Sequence, residues 1–266
     1  MGEKAPRGLD FDELKVLYEI KGILINETPL HVGSGRDIAP ASAVDNPIVR
    51  VKTLIDGRPV EVPYIPGSSL KGVLRSTAER LYRSKGEKVC DPFDEGSKKD
   101  VGECGEEGEP CLICRIFGGG ADPHRVASHV AIFDALPKEP RDPSILQRTR
   151  VAIDRDFAAA RPRLLFTDEY VQPNVKWEFK MRIINIDLEG DEPEARVLKE
   201  LLRLMVDPGI QVGGLKSVGA GLVRLLPEET EVKKYKVGKD AGLTLSEEEG
   251  YPKKLSELLG WRGDEE

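Results

Sequence analysis

This sequence predicts an α+β fold of the split βαβ kind, and three observations predict it. Segments 16–26 and 177–183 alternate apolar and polar residues at strand period. Segment 69–83 and the stretch after Asp191 instead repeat apolar residues at helical period. The recognisable elements follow one another as strand, helix, strand, strand, helix, strand, the ferredoxin-like order that RNA-recognition domains share.

Taken in order, Val16, Tyr18, Ile20, Gly22 and Leu24 lie two apart and mark the first strand. A polar, Gly/Pro-rich loop runs from 27 to 47, with short extended pieces at 48–53 and 59–65. Gly67-Ser68-Ser69 supplies capping residues, and Leu70, Val73, Leu74, Ala78 and Leu81 recur at helical spacing, so a helix is expected over 69–83. Periodicity is lost over 85–113, which turns to Gly, Glu, Asp and Cys and reads as an insertion. Val130-Ala131-Ile132-Phe133 is the second strand. Residues 137–173 are irregular and carry a basic stripe (Arg141, Arg148, Arg150, Arg155, Arg161, Arg163) with room for a projecting hairpin. Trp177, Phe179, Met181 and Ile183 form the third strand. Asp191-Glu192-Pro193-Glu194 opens a helix whose buried stripe is Val197, Leu198, Leu201, Leu202 and Met205. Residues 222–226 are the fourth strand. The organisation expected is a core over 14–226, an insertion over 85–115, a second over about 138–173, and an acidic tail over 227–266 with an amphipathic stretch near Leu255, Leu258, Leu259 and Trp261.

Of the 266 residues, 39% are hydrophobic and 33% charged, a globular composition. No apolar run is long enough to span a membrane, and the first residues lack the apolar core of a signal peptide, so a cytoplasmic protein is expected. The formal charge of −7 is unevenly spread. Segment 87–109 holds nine acidic and three basic residues and segment 227–266 eleven and seven, which leaves the remainder at +3. That distribution permits nucleic-acid binding.

Two stretches are suited to phosphate. Ser68-Ser69-Leu70-Lys71-Gly72 sits where a helix N-terminus offers unpaired N–H groups and partial positive charge, with Arg75 one turn on. Gly213-Gly214-Leu215-Lys216-Ser217-Val218-Gly219-Ala220-Gly221 holds four glycines that would let main chain approach a sugar-phosphate strand. Neither has P-loop or dinucleotide-fingerprint spacing, which favours a nucleic-acid backbone over a nucleotide cofactor. Cys111-x-x-Cys114 is half of a knuckle chelate, and Cys90 and Cys104 in the same insertion complete a tetrahedral set for a structural zinc. Reduced free thiols are the alternative.

With these residues in view, the sequence resembles the RAMP proteins of CRISPR systems, and within them the backbone subunit of type III effector complexes. Five stretches carry the resemblance: Leu30-His31-Val32-Gly33, Val44-Asp45-Asn46-Pro47, residues 64–72 (Tyr-Ile-Pro-Gly-Ser-Ser-Leu-Lys-Gly), Ile116-Phe117-Gly118, and the glycine loop. The resemblance implies a core that polymerises along a guide RNA, a thumb hairpin within roughly 148–172 that interrupts the guide–target duplex, and a loop Asp that cuts target RNA. It puts Asp45 at the cleavage position. It makes Ser68, Ser69, Lys71 and Arg75 guide contacts, with Gly213, Gly214, Gly219 and Gly221 as the glycine loop. Gly72, Lys216, Ser217, Arg150 and Arg155 are expected on the same RNA surface. Val218 and Ala220 depart from the Arg-aromatic pair that relatives often carry.

On composition alone Asp45-Asn46-Pro47 is a turn. As a catalyst, Asp45 would orient a ribose 2′-hydroxyl or hold a divalent cation such as Mg²⁺. His31 is placed to assist as acid or base, or else packs at a strand end. The expected partners are guide RNA, target RNA, further copies of the chain and other type III subunits, with no membrane. A purely structural guide-binding subunit is the rival reading. A nuclease that processes guide precursors is a third, for which no His-rich site is present.

Overall fold

The structure, a computed structural model, describes residues 11–34, 44–90, 110–119, 126–141, 143–156, 159–237 and 245–261. In chain order the elements are β1 (Leu17–Asn26), the hairpin β2 (Arg50–Ile55) and β3 (Arg58–Pro63), α1 (Gly67–Ser84), α2 (Leu112–Phe117) and β4 (Val130–Ile132). A long hairpin follows, β5 (Ile145–Asp154) and β6 (Ala159–Val171), then β7 (Lys176–Ile184) and α3 (Pro193–Val206). The chain ends with β8 (Ile210–Gln211), β9 (Leu222–Leu225), β10 (Glu231–Val237), β11 (Leu245–Glu247), β12 (Lys253–Lys254) and α4 (Leu255–Leu259).

Strand β1 is the hub of an antiparallel sheet. One edge pairs with β7 from Leu17↔Ile184 to Ile25↔Lys176, and β7 pairs onward with β4. The other edge is shared, β10 pairing with residues 17–21 of β1 and β9 with residues 24–26. The handover falls at Gly22, where a Cβ would lie 2.1 Å from Thr230 Oγ1; the buried threonine occupies the space a side chain would take. Strand β8 extends β9, while β11 and β12 flank β10.

Period-2 patterning decides which face is buried. Trp177, Phe179, Met181 and Ile183 of β7 turn inward with Tyr18, Ile20 and Leu24 of β1, while Glu178 and Arg182 are exposed. Helix α1 brings Leu70, Leu74 and Ala78 to that core, and α3 brings Val197, Leu198, Leu201, Leu202 and Met205. The helical and strand segments read from the sequence therefore recur with ends shifted by a residue or two.

An acidic tail was expected over 227–266, yet among its described residues β10 is an integral sheet strand and Leu255 and Leu259 are core residues. The signal was hidden because one inward position is a lysine. Lys234 is almost wholly buried beside Tyr18, with Nζ 2.8 Å from Glu189, 3.2 Å from Asp187 and 3.2 Å from Glu248. Those carboxylates outweigh the cost of burial and hold its pKa above the ordinary lysine value. No described helix is long and apolar enough to cross a membrane.

Candidate functional site

The β5–β6 hairpin forms its own two-stranded sheet, paired from Ile145↔Val171 to Asp154↔Ala159. Its outer half exposes Val151, Ile153, Leu164 and Leu165. The loop around Asp45 lies along the inner half, joined by a parallel bridge between Asn46 and Asp168. Thr167 O accepts from Asp45 N (3.1 Å) and Asn46 N (3.2 Å), and Glu169 N donates to Asn46 O (3.1 Å). Thr167 N donates to Asp45 Oδ2 at 2.7 Å. Asp45 is nonetheless exposed, so its carboxylate is oriented by main chain and open to a ligand. Phe157 and Ala158 lie outside the described residues. Arg155 is exposed at the turn.

His31 attaches to the same strand. Its Nδ1 lies 2.7 Å from Glu169 O; a carbonyl only accepts, so Nδ1 carries the proton and Nε2 keeps the lone pair in the neutral ring. Asp45 and His31 therefore hold β6 two residues apart, about 7 Å along the strand. His31 is buried, and the glycine loop closes over it. Gly214 N donates to His31 O at 2.8 Å. A Cβ on Gly213 would lie 2.1 Å from His31 O, and one on Gly221 2.1 Å from Val212 O. Both glycines, at φ +82° and +87°, are thus required by the chain's own backbone. The exposed part of the loop is Lys216, Ser217, Val218 and Gly219, and Gly219 has open space around it; Ala220 is buried.

At the start of α1, Gly67 N donates to Asp134 Oδ1 (2.8 Å). Ser68 and Gly72 are exposed, and Ser69 is half-buried. Lys71 Nζ donates to Ser128 Oγ at 2.7 Å, and burial, then the charge of Arg75, draws its pKa down. Arg75 is committed inward: Nε to Glu79 Oε1 (2.9 Å), Nη1 to Gly118 O (2.9 Å) and Nη2 to Cys114 Sγ (3.5 Å). Arg150 is also engaged, stacked over the Phe166 ring (4.9 Å) and paired with Asp168.

Cys90, Cys111 and Cys114 bring their sulfurs within 4.8 Å of one another. The Cys90–Cys114 and Cys90–Cys111 separations are 3.2 and 3.8 Å. A tetrahedral zinc with bonds of about 2.3 Å sets S···S near about 3.8 Å; Cys90 and Cys111 match that spacing, and Cys90 and Cys114, at 3.2 Å, would spread slightly to hold the ion. Hydrogen bonding to Cys114 and then Cys90 holds the Cys111 thiol far below the ordinary range, as a thiolate ligand requires. Cys104, the expected fourth ligand, lies outside the described residues.

The family model for the RAMP superfamily matches residues 24–224, most of the chain. The chain belongs to the RAMP superfamily. Among characterised relatives, it is 29% identical over 225 residues to the CRISPR system Cms endoribonuclease Csm3 of Methanothermobacter thermautotrophicus, spanning 76% of this chain and 81% of that one. Its identity to the protein of the same name from Methanocaldococcus jannaschii is 30% over 223 residues, 79% of each chain. To that of Streptococcus thermophilus it is 28% over 209 residues, 74% and 81%.

For this RAMP-superfamily chain, sequence reasoning missed the residues of β6 that hold the Asp45 loop. Thr167 acts through its backbone, which no side-chain pattern reveals. Asp168 and Glu169, not singled out from the sequence, are both buried. Glu169 Oε2 accepts from Ile48 N (3.2 Å) and Arg50 Nη2 (2.8 Å), continuing the loop's attachment into β2. Two adjacent acids flanked by the strand-forming Thr167 and Tyr170, just after the arginine stripe ends at Arg163, were the available signal.

Proposed function

We propose that this chain is a guide-RNA-binding backbone subunit of a type III CRISPR effector complex that cleaves complementary target RNA at regular intervals. Membership of the RAMP superfamily and the endoribonuclease name of three relatives support the class. The residue assignment rests on one observation: an exposed Asp45 carboxylate, oriented by Thr167 N, at the inner half of a projecting hairpin with an apolar outer half. The core is taken as ferredoxin-like, supported by the order β9–β1–β7–β4 with α1 and α3 between successive strands. Several copies would line one guide beside other type III subunits.

In this reading the hairpin enters the guide–target duplex and splays a target nucleotide out of helical geometry. The 2′-oxygen then attacks the adjacent phosphorus, the P–O5′ bond breaks, and the 2′-proton is removed as another reaches the departing oxygen. A cyclic 2′,3′-phosphate and a 5′-hydroxyl remain. Asp45 would orient the hydroxyl or hold a divalent cation such as Mg²⁺. His31 Nε2 is the second proton-accepting atom assigned to the site. Guide contacts are assigned to Ser68, Ser69, Lys71, Gly72 and Arg75 at α1, to Gly213, Gly214, Lys216, Ser217, Gly219 and Gly221 in the loop, and to Arg150 and Arg155 on the hairpin. A structural zinc would sit on Cys90, Cys111 and Cys114, with Cys104 completing the set.

The test is Asp45→Ala in the assembled complex with complementary RNA, with and without divalent cation. Cutting is expected to fall at least about 100-fold while guide and target binding persist. A variant that cuts at the wild-type rate refutes the assignment, and a wild-type complex that binds target without cutting supports the purely structural subunit instead.

A further inference from the structure

We infer that Asp168 is a positioning residue for the Asp45 loop, fixing the seat of the catalytic carboxylate on the hairpin through a side-chain link that reaches from the loop to β5. The inference rests on the reading of Asp45 given above. Asp168 is 0% exposed, although it lies on a hairpin whose outer half is open to solvent. Its two oxygens are divided between two elements. Oδ1 accepts from Asn46 Nδ2 at 2.7 Å, in the residue next to Asp45, and Oδ2 is paired with Nε of Arg150 on the neighbouring strand β5. Arg150 also lies over the Phe166 ring, 4.9 Å from its centroid, a second contact that restrains the pair.

The main-chain bonds around this tie explain why it matters for position. Thr167 and Glu169, on either side of Asp168, bond residues 45 and 46 through their backbones. The loop therefore stays attached to β6 without the Asp168 side chain. What Asp168 alone supplies is a side-chain link from the loop, through β6, to β5. Burial pushes its carboxyl pKa up, but Arg150 and Asn46 outweigh that and hold it below the ordinary value, which keeps both oxygens as acceptors. An asparagine at this place offers Arg150 only a neutral acceptor and keeps Asn46 only if that amide turns over, so the charged tie is lost. Asp45 would then follow the hairpin only through its bonds to β6, with its seat no longer fixed against β5, and a misplacement on the order of 1 Å at a reacting group can cost about 100-fold in rate.

The experiment compares single-turnover cleavage and target affinity in complexes assembled with wild type, Asp45→Ala, Asp168→Asn and Asn46→Ala. Asn46 is exposed, so its variant guards against a folding failure at the buried position. Asp45→Ala is the control for the underlying reading: if it cuts at the wild-type rate, that reading fails whatever the other variants do. With Asp45→Ala inactive, the expected result is a fall of about 10- to 100-fold in the cleavage rate for both Asp168→Asn and Asn46→Ala, with target Kd within about twofold of wild type. Wild-type rates in both variants overturn the inference. Loss of target binding or assembly in parallel with rate also overturns it, because that identifies a merely structural residue.

Discussion

Gly72→Ala separates a glycine kept for a ligand from one kept for the fold. Gly72 lies within α1 on its exposed side, and a Cβ built there meets nothing within 4 Å. Glycine in a helix interior costs about 1 kcal/mol relative to alanine, so the protein alone gains from the substitution. The expected gain is about 0.5–1 kcal/mol, or roughly 1–4 °C in Tm at this chain length. If a ribose-phosphate strand lies against that turn, the added methyl intrudes on it, and guide affinity should fall about tenfold, about 1.4 kcal/mol. Thermal unfolding of the free chain and guide binding at fixed salt measure the two effects separately. Gly213→Ala is the contrasting case. With φ at +82° and a Cβ 2.1 Å from His31 O, it should lose at least about 1–3 kcal/mol of stability, so weaker guide binding there would carry no information about contact. A Gly72→Ala protein that is more stable and binds guide as tightly as wild type refutes the grip assigned to α1.

The metal and the acid limb of stability give further tests. Protein purified without chelator should contain stoichiometric zinc by elemental analysis, and Cys114→Ser should lose it along with part of the thermal stability; zinc-free wild type refutes the site. Glu19 is held at a pKa of about 2, against 4.5 for an ordinary Glu, first by Lys21 and then by Arg182 and Lys180 despite its burial. A carboxyl lowered on folding contributes stability above its unfolded pKa and loses it as pH falls through the folded one. Wild type should therefore weaken between about pH 4.5 and pH 2, by at most about 3 kcal/mol from this group, less after screening of its exposed partners. Denaturant unfolding of Glu19→Gln should show a flatter acid limb, and an unchanged limb refutes the assignment.

The core was legible because its signals are periodic. Trp177, Phe179, Met181 and Ile183 alternate, and Val197, Leu198, Leu201, Leu202 and Met205 recur at helical spacing, so each segment carries its own geometry. β10 was not legible, because its inward Lys234 is tolerated only through three carboxylates, two at Asp187 and Glu189 and the third at Glu248. The same limit applied at the site. Asp45 and His31 stand out by residue type and motif, whereas their common attachment to β6 comes from pairings more than 100 residues apart in sequence. The glycine loop was expected to approach a sugar-phosphate strand, whereas for Gly213 and Gly221 the group that approaches is the chain's own carbonyl.

That distinction bears on how such a surface could hold a polyanion while the whole chain is acidic. Lys71, Arg75 and Arg150 each have an internal partner, which fixes the direction of their remaining donors. An ammonium has three N–H groups and a guanidinium five, so the hydrogen bonds made by Lys71 and Arg75 leave N–H donors over on each. Cations already ordered lose less side-chain entropy when they meet phosphate than mobile surface lysines do. For Arg75 the ordering partners include Cys114 Sγ and Gly118 O, beside the cysteine cluster. A metal there would thus act on the α1 surface at one remove, by keeping a guanidinium in place. Cys114, in a segment that resembles an appendage in sequence, is in space part of the support for an α1 side chain.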